Sequence, residues 1–149
     1  MTMEQLGWVV LALISAIGAA GVAIFGRIGL ESVDSTLATT LRSLVMAATM
    51  LAVAFSTGKL QPLMSGSAQL DRRAWVFILL SGGAGALSWL AYFGALRTGP
   101  ASSVAAIDRL SVAFVFVIAV LALGEQHSWR GWLGLVLLLG GVYLIAADK

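Results

Sequence analysis

Apolar residues run almost unbroken through five stretches of the chain, 6–26, 35–57, 74–96, 101–123 and 129–147, and most polar residues collect between them. Each stretch holds about the 20 residues that a helix rising ~1.5 Å per residue needs to cross a hydrocarbon core of roughly 30 Å. The joints carry helix punctuation. Asp34 or Ser35, Asp71 and Ser128 stand where N-caps belong, and Gly58, Gly99 and Gly124 where C-caps belong. The pattern predicts an all-α integral membrane protein with five transmembrane helices. Pro100 follows Gly99 directly and suits the first turn of the fourth helix, so helices three and four should form a tight hairpin. The longest joint, 58–73, contains Pro62 and Gly66 and reads as an exposed loop; its Leu60, Leu63, Met64 and Leu70 are apolar enough to rest on the bilayer surface.

Composition agrees with the pattern. Of the 149 residues, 60% are hydrophobic and 11% charged, whereas a soluble domain carries about 25% charged residues. One water-facing fold of this size could not hide that much apolar surface. Residues 1–5 contain no basic residue, and the apolar stretch behind them is longer than the core of a signal peptide, so it is read as a span. The absence of cysteine excludes disulfides, thiolate ligands and a thiol nucleophile. His127 is the only histidine and falls in the turn between the last two spans. With no second histidine or carboxylate cluster at ligand spacing, neither a metal, a cofactor nor a catalytic group is expected. The nine Lys and Arg are scattered, without the clustered run that would suggest nucleic acid or anionic lipid as the partner; membrane lipid is expected around the apolar spans. Arg27, Glu31 and Asp34 in the first joint read as solvated. Lys59, Arg72, Arg73 and Arg130 fall on one membrane face, against Arg27, Arg97 and Lys149 on the other; this near balance is a weak orientation signal.

Two features of the spans need partners. Small residues recur as Gly18-Ala19-Ala20-Gly21, as Gly82, Gly83 and Gly85, and as Gly131, Gly134, Gly140 and Gly141, and should admit close helix packing. Three charges are embedded. Arg42, Asp108 and Arg109 each lie about 12 Å from a span border, where an ionised side chain costs about 2.5–3.5 kcal/mol unless it faces a bundle interior or a wet cavity. Counting five crossings puts Arg42 and Asp108 at one depth, and Trp89 reaches the same layer from the other side. Asp108 and Arg109 are adjacent and diverge by about 100° on a helix, so Arg42 is the expected partner of Asp108. Trp89 and Tyr92 share a helix face at i and i+3. Arg42, Trp89, Tyr92, Asp108 and Arg109 are therefore the candidates for a substrate path. A polar network that only holds helices in register is the alternative, and for Tyr92 so is a place in the interfacial aromatic belt.

These residues form a familiar series: Asp34-Ser35-Thr36-Leu37-Ala38-Thr39-Thr40-Leu41-Arg42, Ser88-Trp89-Leu90-Ala91-Tyr92-Phe93, Gly99-Pro100-Ala101-Ser102, Asp108-Arg109-Leu110-Ser111 and Gly124-Glu125-Gln126-His127-Ser128-Trp129. In this order and over nearly the whole chain, they resemble an EamA domain of the drug/metabolite transporter superfamily. Many members of that family join two such domains into ten helices, an inverted repeat around a central path, and export metabolites or amino acids. The resemblance implies that this chain corresponds to one half of that architecture. Relatives carry lysine more often than arginine at the position of Arg109, so the charge is kept and its geometry altered.

The expected function is a secondary transporter that exports small metabolites or amino-acid-like solutes across a bacterial cytoplasmic membrane. The chain would act as a homodimer, with an antiparallel arrangement open to it, because inverted repeats place the solute at their interface. The sequence lacks GxxxxGK[ST], so gradient-driven exchange or proton coupling is expected rather than ATP coupling. Arg42, Asp108 and Arg109 sum to +1, which favours anionic or zwitterionic solutes over lipophilic cations. The alternative is a membrane scaffold or accessory subunit of a larger complex, which would bind no solute.

Overall fold

A computed structural model of the chain describes residues 3–66 and 71–148. Met1, Thr2, Leu70 and Lys149, which entered the readings of the terminus, the loop and the charge balance, lie outside the described residues. The elements are α1 (Met3–Gly29), α2 (Ser35–Ser56), α3 (Gln61–Met64), α4 (Arg72–Thr98), α5 (Ala101–Asp108), α6 (Leu110–Leu123) and α7 (Trp129–Ala147). Among the described residues there is no strand. Five segments are long and apolar enough to span a membrane: Gly7–Gly29, Ser35–Ser56, Arg72–Thr98, Ala101–Leu123 and Trp129–Ala147. They coincide with the five apolar stretches. The first runs three residues further, and the third gains two residues at each end.

The spans turn their apolar side chains outward. Ile17, Phe25 and Leu121 are 74%, 76% and 79% exposed. In water such surface would aggregate; in a bilayer, lipid tails cover it, and each helix satisfies its own backbone hydrogen bonds. This is an integral membrane protein.

Chemistry at the helix ends follows the cap logic in part. The Asp34 carboxylate accepts from the N–H groups of Thr36 (2.9 Å) and Leu37 (3.3 Å), so it caps α2 rather than standing free in solvent. Ser128 occupies the N-cap of α7 without a side-chain cap hydrogen bond. Gly124 ends α6 in the left-handed region at φ 68°, a conformation that a side chain would oppose. Gly99 follows α4 for another reason: a Cβ there would meet Val104 Cγ2 at 3.0 Å and the Ala95 carbonyl oxygen at 3.2 Å. Pro100 takes the N-cap position of α5, one place before the expected first turn. In the long loop, Pro62 sits in the first positions of the single turn α3, which leaves Leu63 and Met64 exposed.

The chain divides into two compact units, Met1–Ile28 with Ala95–Lys149, and Gly29–Gly94. In the first, α7 packs against α5 and α6. Ala106, Ala119 and Val142 are buried, two of them small enough to let backbones approach. Gly131 packs in this way: a Cβ would meet Phe116 at 3.4 Å and His127 Cβ at 3.3 Å. The expected close packing stops there. At Gly18, Gly82, Gly83, Gly85, Gly134, Gly140 and Gly141 a Cβ would meet nothing within 4 Å.

Arg27, expected in solvent, belongs to the same unit and binds backbone. Its Nη1 donates to the carbonyl oxygens of Leu96 and, at 2.9 Å, of Arg97. Those carbonyls lie in the last turn of α4, where no intrahelical N–H reaches them and the helix dipole favours a cation.

Candidate functional site

In the unit Gly29–Gly94, the protected face of α4 carries Gly85, Trp89, Tyr92 and Phe93, at offsets of four, seven and eight residues, the spacing of one helix face. Phe93 is buried at 3% exposure, and Trp89 and Tyr92 are half-buried. The three rings form one cluster. Trp89 meets Tyr92 edge to face at 5.7 Å between centroids and Phe93 at 6.0 Å, while Tyr92 and Phe93 lie 6.1 Å apart. Such pairs add to the apolar burial of each ring.

Helix α2 delivers a cation to this cluster. Among its protected positions are Ser35, Ala38, Thr39 and Arg42, again on one face. The Arg42 guanidinium carbon sits 3.5 Å from the Trp89 ring centroid and 5.4 Å from that of Phe93. At 3.5 Å the guanidinium is stacked on the indole, and the ring quadrupole supplies part of the solvation that the bilayer removes. Arg42 Nη1 is buried and has no hydrogen-bond partner. The hydroxyls nearest to it along the helix are engaged elsewhere. Thr39, Thr40 and Ser43 donate to the carbonyl oxygens of Ser35 (2.7 Å), Thr36 (2.8 Å) and Thr39 (2.8 Å), which lets α2 carry them in an apolar setting.

Asp108 and Arg109 lie in the other unit, at a break in the fourth span. The Arg109 N–H donates to the Ala106 carbonyl oxygen and the Val112 N–H to that of Arg109, both at 3.0 Å, so i to i+3 bonds replace the regular ladder there. The fourth span crosses as one segment, Ala101–Leu123, with a one-residue turn at Arg109. The turn corrects one expectation: Asp108 and Arg109 do meet, with Arg109 Nη1 3.9 Å from Asp108 Oδ2 and both side chains partly exposed. A pair of this length and exposure contributes little to stability.

His127 is a turn residue, as expected, and it is also packed. Its ring stacks on Phe116 at 4.2 Å, Phe116 meets Trp132 edge to face at 5.0 Å, and His127 Nε2 is 3.4 Å from Glu125 Oε2. Among the described residues no group of three or more His, Cys, Asp or Glu could hold a metal ion. Of the candidate path residues, Arg42, Trp89 and Tyr92 come together within the unit Gly29–Gly94, and Asp108 meets Arg109 within the other. Phe93 is a member that the sequence reading left out, although its place four residues after Trp89 marks it for the same face.

Residues 6–147 match the EamA-like transporter family. A protein of Sinorhizobium sp. named as an uncharacterized transporter in the cobO 3′ region is 38% identical over 139 residues, which cover 93% of this chain and 96% of that protein. No solved structure matches the chain.

Proposed function

The chain belongs to the EamA-like transporter family, and from that premise we propose that it is a secondary transporter exporting small metabolites or amino-acid-like solutes as a homodimer. The family match over 6–147 carries this reading. A relative named as a transporter, 96% of which aligns with this chain, supports it further. If two inverted units enclose a path, two copies of a one-unit chain are the simplest way to supply them. Arg42, Trp89, Tyr92, Asp108 and Arg109 line that path, and the bacterial cytoplasmic membrane is the setting. Transport is driven by solute exchange or a proton gradient.

Counterflow by the purified chain in liposomes tests the reading, with a panel of amino acids, organic anions and cationic dyes. Saturable exchange of at least one small metabolite is expected. Failure of every solute, in liposomes where the chain is folded, would favour the scaffold alternative.

A further inference from the structure

We infer that the Arg42 guanidinium, laid flat on the Trp89 ring, is the docking point for the carboxylate of the transported solute. The inference rests on the transporter reading for the solute's passage, and on the geometry of α2 and α4 for its chemistry. Stacking occupies one π-face of the guanidinium and none of its five in-plane N–H donors. Nη1 is buried without a hydrogen bond, a condition a fold retains only where something compensates for it.

The two helices that form the site supply no anion, since neither α2 nor α4 contains an Asp or Glu. Asp34, at the foot of α2, accepts from two backbone N–H groups. The nearby Thr39, Thr40 and Ser43 hydroxyls have donated their protons to their own helix. A carboxylate answers the planar fork with two parallel hydrogen bonds, a match that a lone neutral oxygen cannot make. A lipid phosphate is the wrong source, because Arg42 lies about 12 Å inside the span border. The Phe93 ring beside the guanidinium adds an apolar wall, so the preferred solute carries an apolar or aromatic group next to its carboxylate.

The test uses the full chain, labelled with nitrogen-15 arginine, in nanodiscs of phosphatidylcholine. One guanidinium signal, displaced by the Trp89 ring current and absent from both Arg42→Lys and Arg42→Gln, reports on the site. Benzoate should move it saturably, and benzamide, the neutral molecule of the same shape, should bind at least about tenfold more weakly. Equal responses to the two probes, a response to inorganic phosphate but not to benzoate, or wild-type benzoate affinity in Arg42→Gln would overturn the inference. If neither variant folds, the comparison of benzoate with benzamide on the displaced signal of the wild-type chain still decides. Counterflow of some solute without any benzoate response would sink the docking point and spare the transporter reading. Benzoate binding with no counterflow of any solute would do the reverse.

Discussion

Replacing Arg42 by methionine separates a residue kept for a solute from one kept for the fold. In the wild-type protein the guanidinium gains a desolvated contact with the Trp89 ring at 3.5 Å, worth about 2 kcal/mol. Against this stands the buried, unpaired Nη1, whose desolvation costs about 1–3 kcal/mol. Methionine removes both terms, keeps much of the length, and offers sulfur to the same ring for about 0.3–1.5 kcal/mol. The sum is close to zero, so Arg42→Met should unfold within about 1 kcal/mol of the wild type. Breaking a buried ion pair, as the expected pairing of Arg42 with Asp108 would require, costs about 3–5 kcal/mol instead. Unfolding of the full chain by sodium dodecyl sulfate in mixed micelles, followed by circular dichroism, measures the difference. The variant should keep its stability and lose its benzoate response. A loss above about 3 kcal/mol, or unimpaired benzoate binding, would refute the reasoning.

The same unfolding assay checks three further expectations. Arg27→Met should lose about 1–2 kcal/mol, discounted for partial exposure, because the last-turn carbonyls of Leu96 and Arg97 lose their donor; Arg27→Lys should recover part of it, and a loss under about 0.5 kcal/mol would show that water replaces the donor. Asp34→Ala should cost about 1 kcal/mol through the α2 cap, with Asp34→Ser close to the wild type; equal losses in both would point away from capping. Gly124→Ala should cost about 1–2 kcal/mol at φ 68°, and more than Gly124→Asn, since asparagine tolerates the left-handed region; the opposite ranking would deny the conformational cause.

Run length and end chemistry made the five spans legible, because the bilayer fixes how many apolar residues a helix needs and the backbone fixes which residues can start or stop it. The face shared by Trp89 and Tyr92 followed from helical spacing, and so could Phe93 have done. Other features lie beyond periodicity. The break at Arg109 is a change from i+4 to i+3 bonding inside an apolar run, to which hydropathy is blind. It also brings Asp108 and Arg109 within 3.9 Å, where a regular helix would have held them apart. Arg27 looked like a solvated loop charge because its acceptors, the carbonyls of Leu96 and Arg97, are about 70 residues away in sequence and are peptide groups that no composition signal marks. The glycine stripes show the converse. Small residues permit close approach without requiring it: at Gly131 a Cβ would touch a neighbour, whereas at Gly18, Gly82, Gly83, Gly85, Gly134, Gly140 and Gly141 it would meet nothing within 4 Å.

The central claim is that a one-unit chain transports solute as a pair. Reconstitution of the purified protein at decreasing protein-to-lipid ratio tests it directly, with counterflow recorded as a function of the mean number of chains per liposome. The account predicts that liposomes holding a single chain are silent, so that the active fraction follows the Poisson share of vesicles with two or more. Counterflow proportional to the share holding one or more chains would contradict it, and would make a single five-span unit sufficient for transport.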